Sequence, residues 1–319
     1  MSKQERQDVS FSIVGFFSIL WKNIYLIAII TIVSAVLAVI YVKNMPDVYK
    51  AEVVMTPASG DDTSNLSGLS GQLGGLASLS GINLGSSGNN KVAEFIALSK
   101  SRNFVQNFIK KYQILPQLMA ATSWNKTTNT LTYDTTIYNN ATKSWLVKKD
   151  KKLPTTWNGY DKFLSLITVL DDSGSGLVKM SLNFYDPHLA KQWLSLFITE
   201  LNDAIRQDDI SDAQNSIDYL SKQAELSELQ SVKRVFYNLI EQKTKTLLLA
   251  KVNKSYVLKP LGGIALPEEK DSPKRSLIVI LVTFVAFLIA VIFALFRHLL
   301  VIERLSTAPL RSEHDDVSE

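Results

Sequence analysis

Two apolar runs without a single charged residue, one near each end, constrain this chain more than any other feature. They are residues 24–42 (IYLIAIITIVSAVLAVIYV) and 276–296 (SLIVILVTFVAFLIAVIFALF). A helix needs ~20 apolar residues to cross ~30 Å of hydrocarbon, so each run spans a bilayer with little slack. The first is too long for the core of a signal peptide, and Tyr41-Val42-Lys43-Asn44 offers no small-x-small cleavage site. It is expected to be a retained anchor. Lys3, Arg6 and Lys22 precede the first run, and Arg297, Arg304 and Arg311 follow the second. Lys43, Lys50, Lys270, Lys274 and Arg275 stand on the other side of the two runs, so the charge bias towards cytoplasmic tails is narrow. Long translocated segments do not count against it. The expected map is therefore a cytoplasmic tail (1–23), a span (24–42), an external lobe (43–275), a second span (276–296) and a cytoplasmic tail (297–319).

The lobe has to stand on its own core. The chain has no cysteine, which removes disulfides, thiolate nucleophiles and cysteine-based zinc sites. Its net charge of +4, without a dense Lys/Arg run, gives no footprint for nucleic acid.

Within the lobe, Tyr49–Thr56 (YKAEVVMT) alternates and is rich in β-formers, so it reads as a strand that Pro57 ends. Residues 59–90 are built largely of Gly, Ser, Leu and Asn and read as a loop. The spaced leucines Leu66, Leu69, Leu73, Leu76 and Leu79 leave open a docking role for that loop. A helix is expected from Lys91, capped by Asn90, with Val92, Phe95, Val105, Phe108, Ile109 and Tyr112 on its apolar face and Pro116 closing the stretch. Residues 122–152 read as an excursion of short elements, and a short helix is expected at Trp157–Leu164. Leu166–Leu170 and Leu177–Phe184 flank a Gly/Ser turn and read as a hairpin.

Asp186-Pro187 is a helix start: a carboxylate N-cap, then proline where its missing N–H costs nothing. Neither Gly nor Pro recurs until Pro260. One long helix over 187–254 is expected, able to reach on the order of 100 Å, with a weak point near Arg206–Asp212. Its apolar stripe includes Ile217, Leu220, Leu229 and Phe236. Such a stripe packs either inside a helical hairpin or as a seam between copies of the chain, and the seam is favoured. Ser255–Pro260 (SYVLKP) reads as a short strand expected to pair with the strand after the first span. Pro260, Pro267, Ser272 and Pro273 then mark an extended stalk over 260–273.

No chemistry is written in this sequence. His188, His298 and His314 are scattered, and there is no HExxH helix, nucleophile elbow or phosphate-binding GxxxxGK[S/T]. The carboxylate pairs sit in polar stretches without a visible cleft. No catalytic residue, cofactor or metal is expected.

FSIVGFFSILWKNIYLI (11–27), VYKAEVVMTP (48–57), DPHLAKQWLSLFITELNDAIR (186–206) and LPEEKDSPKRSLIVIL (266–281) resemble the Wzz-type polysaccharide co-polymerases. These are the chain-length determinants of surface polysaccharides such as lipopolysaccharide O-antigen. The similarity runs over most of the chain and is weakest over about 120–160. It implies an α+β membrane protein of the bacterial inner membrane, with two transmembrane helices flanking a periplasmic α/β base and a long extended helix. It also implies a non-enzymatic, homo-oligomeric ring. The partners would be an integral-membrane polymerase, the growing lipid-linked glycan and the bilayer. An alternative is an export or adaptor protein for capsular or exopolysaccharide that works with a separate tyrosine autokinase. Some relatives are fused to such a kinase; the short tail after Phe296 carries no phosphate-binding loop and argues against the fused form.

Overall fold

A computed structural model describes residues 21, 23–58, 87–146, 153–172 and 174–306. Most of the Gly/Ser/Leu stretch (59–86) and most of both tails fall outside the described residues. Two compact units emerge, one built on the apolar helices and the other on Pro46–Asp271.

The first unit is a helix pair. Helix α1 (Ile24–Lys43) and a carboxy-terminal helix, Arg275–Ser306, are both long and apolar enough to cross a membrane. Ile27 packs on Ala290 and Ala294, Thr31 shares a groove with Val279–Phe287, and Val42 lies beside Arg275–Ile280. The two helices therefore run antiparallel. Ala290 and Ala294, one turn apart and fully buried, let the backbones approach closely, which is what holds helices together where no hydrophobic effect acts between them. The Thr31 hydroxyl donates to the Ile27 carbonyl at 2.8 Å, so it brings no unsatisfied donor into the apolar pair.

The second unit starts from strand β1 (Tyr49–Pro57), which buries Ala51, Val53 and Met55 and turns Lys50 and Glu52 outward. Helices α2 (Ser87–Ser99), α3 (Arg102–Lys111) and α4 (Leu115–Ala120) follow. The single helix expected from Lys91 is thus two. Ser101, in an extended conformation, breaks the run so that Val105, Phe108 and Ile109 can turn inward. Asn90 lies inside α2 and does not cap it. Pro116 opens α4 and does not close a helix, because the first turn is where proline's missing N–H is harmless.

Residues 121–145 form twin hairpins, β2 (Ala121–Asn125) with β3 (Thr130–Tyr133) and β4 (Tyr138–Asn139) with β5 (Ser144–Trp145). Their turns use one chemistry twice. The Asn125 and Asn139 side chains each accept two backbone N–H bonds, and Asn129 and Lys143 each adopt a left-handed φ near 50°. Helix α5 (Thr156–Leu166) then leads into β6 (Ile167–Asp172) and β7 (Leu177–Phe184). Gly176 supplies the left-handed residue of their turn, at φ +69°.

The chain continues through α6 (Pro187–Leu226), α7 (Gln230–Val252) and β8 (Leu258–Pro260) before the carboxy-terminal apolar helix, α8. The sheet is antiparallel, in the order β6-β7-β1-β8. The strand after the first apolar run therefore lies beside the strand that precedes the second. Against one face of this sheet, α3, α5 and the first half of α6 meet around Phe108, Phe163 and Phe197, whose ring centroids lie 5.0–5.5 Å apart. The Arg102 guanidinium stacks over Trp157 at 3.7 Å and Tyr160 at 4.0 Å and ties α3 to α5.

Candidate functional site

The longest helix of the lobe, α6, and the residues that fix its start are the most distinctive feature of the described chain. The Asp186 carboxylate accepts from the N–H groups of His188 (2.8 Å) and Leu189 (3.4 Å), with Pro187 in the first turn, and so fixes where α6 begins. From there to Ile205 the helix buries Trp193, Leu194, Phe197 and Leu201. It passes unbroken through 206–212, where the sequence suggested weakness.

The break comes at Ser227–Leu229. Both end residues are extended (ψ 131° and 119°), and α7 folds back along α6. Ser216, Tyr219 and Leu220 line one groove with Leu239, Gln242 and Lys243, so the two helices are antiparallel. The single helix expected over 187–254 is therefore a helical hairpin. Its reason is tertiary: turning back buries Ala213, Ala224, Leu247 and Ala250, which one straight rod would leave in water. Small residues at these contacts let the helices close on each other.

The favoured seam residues divide accordingly. Ile217, Leu220 and Phe236 are half-buried, with Leu220 in the α6–α7 groove, whereas Leu229 stands at the turn and is 65% exposed. Leu226, Val235, Tyr237, Leu248 and Val252 are also exposed. The stretch after β8 lies along β1: Leu261 donates to the Val54 carbonyl at 2.8 Å and Asp271 to that of Val48 at 2.9 Å. Pro260 ends β8, Pro267 lies between those two anchoring bonds, and the Ser272–Pro273 peptide is cis.

Two polar contacts close the root of the hairpin. The Lys91 ammonium pairs with Asp209, donates to the Tyr256 hydroxyl at 3.3 Å and lies over the Tyr256 ring. Burial pushes its pKa down. The second contact is Asn202, which is 3% exposed. Its Nδ2 donates to the carbonyls of Ile198 (3.1 Å) and Leu258 (3.2 Å), and its Oδ1 accepts from the N–H groups of Val257 (2.8 Å) and Leu258 (3.1 Å). Reading the sequence by motif passes over it. The signal was there: an amide on the face that Ile198, Leu201 and Ile205 send into the core. Two residues before Asn202, hydrogen bonds from Lys111 (2.7 Å) and Tyr112 (2.6 Å) converge on Glu200. Burial alone would raise the Glu200 carboxyl, yet these bonds hold it below its ordinary range. The same bond to Glu200 pushes Tyr112 up to about 12. Among the described residues no group of three His, Asp or Glu side chains converges as a metal site would require.

Two antiparallel apolar helices long enough to cross a membrane, an α+β lobe whose end strands are neighbours, and a helical hairpin make up the described chain. Residues 9–112 match the family model Wzz, chain length determinant protein. The resemblance read from the sequence is met. Among solved structures, the chain is similar to a full-length bacterial polysaccharide co-polymerase at 13% identity and a TM-score of 0.42, over 93% of this chain and all of that one. It is also similar to a fragment of WzzB, polysaccharide co-polymerase from Salmonella Typhimurium, at 13% identity and a TM-score of 0.34, over 71% of this chain and all of the fragment. No curated protein sequence matches it.

Proposed function

We propose that this chain is a non-enzymatic regulator of the modal length of a surface polysaccharide, lipopolysaccharide O-antigen being the leading product. It sits in the bacterial inner membrane with both tails cytoplasmic and the lobe in the periplasm. The observation that carries the reading is the pairing of β1 with β8, which brings the two ends of a Wzz-bearing lobe onto adjacent strands. A lobe closed in this way needs only two anchors to be held by both ends.

The scaffold works with the membrane polymerase and the growing lipid-linked glycan, through many weak contacts and not through a reaction centre. Copies of the chain associate along the hairpin, with Leu229 and the exposed rims of Ile217, Leu220 and Phe236 in the seam. Exposed apolar residues along α7 support that placement. Pro260, Pro267, Ser272 and Pro273 set the approach to the second span.

Deletion of the gene is expected to leave polymer synthesis intact and change its size distribution on a gel, with complementation restoring it. An unchanged ladder rejects the regulator reading. Loss of all surface polymer favours the export or adaptor role instead.

A further inference from the structure

The hairpin leaves the sheet on one helix and returns to it through one short strand, so whatever fixes the returning strand aims the hairpin. On one side β8 is paired with β1: Ala58 donates to the Val257 carbonyl at 2.9 Å, and Leu261 to that of Val54 at 2.8 Å. On its other side no strand among the described residues pairs with it. There the Asn202 amide presents a donor and an acceptor together, and the N–H and C=O of Leu258 both bond to it. One side chain of α6 thus stands in for a neighbouring strand.

The contact uses both amide hydrogens and two acceptor positions on the oxygen, so the full capacity of the side chain is spent at one register. A slip of one residue would present the wrong backbone groups to Asn202. It would also drive Val257 or Lys259 into the place of Leu258, which is fully buried. The Lys91–Asp209 pair fixes the same root less tightly, because both side chains are about one-quarter exposed and an ion pair tolerates many geometries.

We infer that Asn202 is the positioning residue that sets the register and angle of the hairpin on the sheet, and thereby the sharpness of the polymer length distribution. The second half rests on the regulator reading. Leverage makes the link: from Asn202 to Leu226 the helix extends about 36 Å, so a root tilt of ~10° moves the tip by roughly 6 Å.

The test uses the full-length chain with Asn202→Leu and Asn202→Asp. Amide exchange at Val257 and Leu258 reads the root, and a spin-label pair at Glu228 and Asp161 reads the hairpin. A surface-polysaccharide gel of a complemented deletion strain reads the output. Asn202→Leu is expected to speed exchange at both amides by at least ~10-fold, since it strands buried backbone groups. It should also broaden the label distance and the ladder, while Lys91→Met keeps the distance narrow.

Asn202→Asp keeps an acceptor and loses the donor. Acidification that protonates this carboxyl returns an O–H to the Leu258 carbonyl, so protection of the two amides, measured against wild type at the same pH, should recover. A purely space-filling role would show no such rescue. If Asn202→Leu fails to accumulate, the aspartate variant decides alone. An unchanged label distance, or the absence of acid rescue, overturns the positioning role. A loosened hairpin with a wild-type ladder overturns its link to polymer length. A ladder that ignores deletion of the gene rejects the regulator reading itself and leaves the positioning role to be judged by the distances.

Discussion

Helix α6 lives in two environments, and the contrast between its halves explains much of the molecule. From Pro187 to Ile205 it lies against the sheet and buries large side chains, Trp193, Leu194, Phe197 and Leu201 among them. From Arg206 to Leu226 it buries only Ala213 and Ala224, against a partner helix that itself buries only Leu247 and Ala250. The backbone is the same, and the burial per turn is not. The base is a core that stands on its own packing. The hairpin is held by a thin line of mostly small residues and by its root, and it keeps leucine, valine and tyrosine exposed.

This contrast can be broken most directly in the base. Phe197→Ala removes the ring shared by Phe104, Phe108 and Phe163 and is expected to cost about 3–5 kcal/mol, read as a lower urea midpoint of the detergent-solubilised chain. A cost near zero would mean that the base is not the stable half. Next in size is the cap: Asp186→Ala should cost about 1 kcal/mol, with Asp186→Asn recovering most of it.

A smaller effect belongs to Glu200. Its folded pKa is depressed, so the contact with Lys111 and Tyr112 contributes fully above the unfolded carboxyl value of 4.5 and is lost as pH falls through the lower folded value. Lys111 is mostly exposed, so solvent screening keeps the contribution under ~1 kcal/mol. Glu200→Gln should flatten the acid limb of a stability–pH curve; an identical limb would remove Glu200 from the account. Smallest for the monomer is Leu229→Lys, expected within ~0.5 kcal/mol of wild type, because the side chain is already in water. Cross-linking of full-length chains in membranes should nevertheless fall if the hairpin is the seam. Retained cross-linking would place association elsewhere.

Legibility in the sequence follows the same division. The alternation of Tyr49–Pro57, the β6–β7 turn and the Asp186-Pro187 start are local signals, where a residue's own backbone preferences and its immediate neighbours decide. Ser101 and Ser227–Leu229 are different. Neither break carries Gly or Pro, and each exists because the chain buries more apolar surface by turning there. Asn202 illustrates the same limit at the candidate site: its place on the apolar face is legible, and its partner lies 56 residues away.

By itself the sequence determined the two apolar helices, the strand-and-helix content of the lobe, the start of its longest helix and the resemblance to chain-length determinants. The first three rest on composition, short-range periodicity or a local cap, and the last on four stretches of sequence similar to that family. Only the tertiary structure decided that the long helical stretch doubles back at Ser227–Leu229, and that one amide closes the open side of the strand it returns to. Those outcomes turn on which distant surfaces exclude water together, and no local window of residues contains that information.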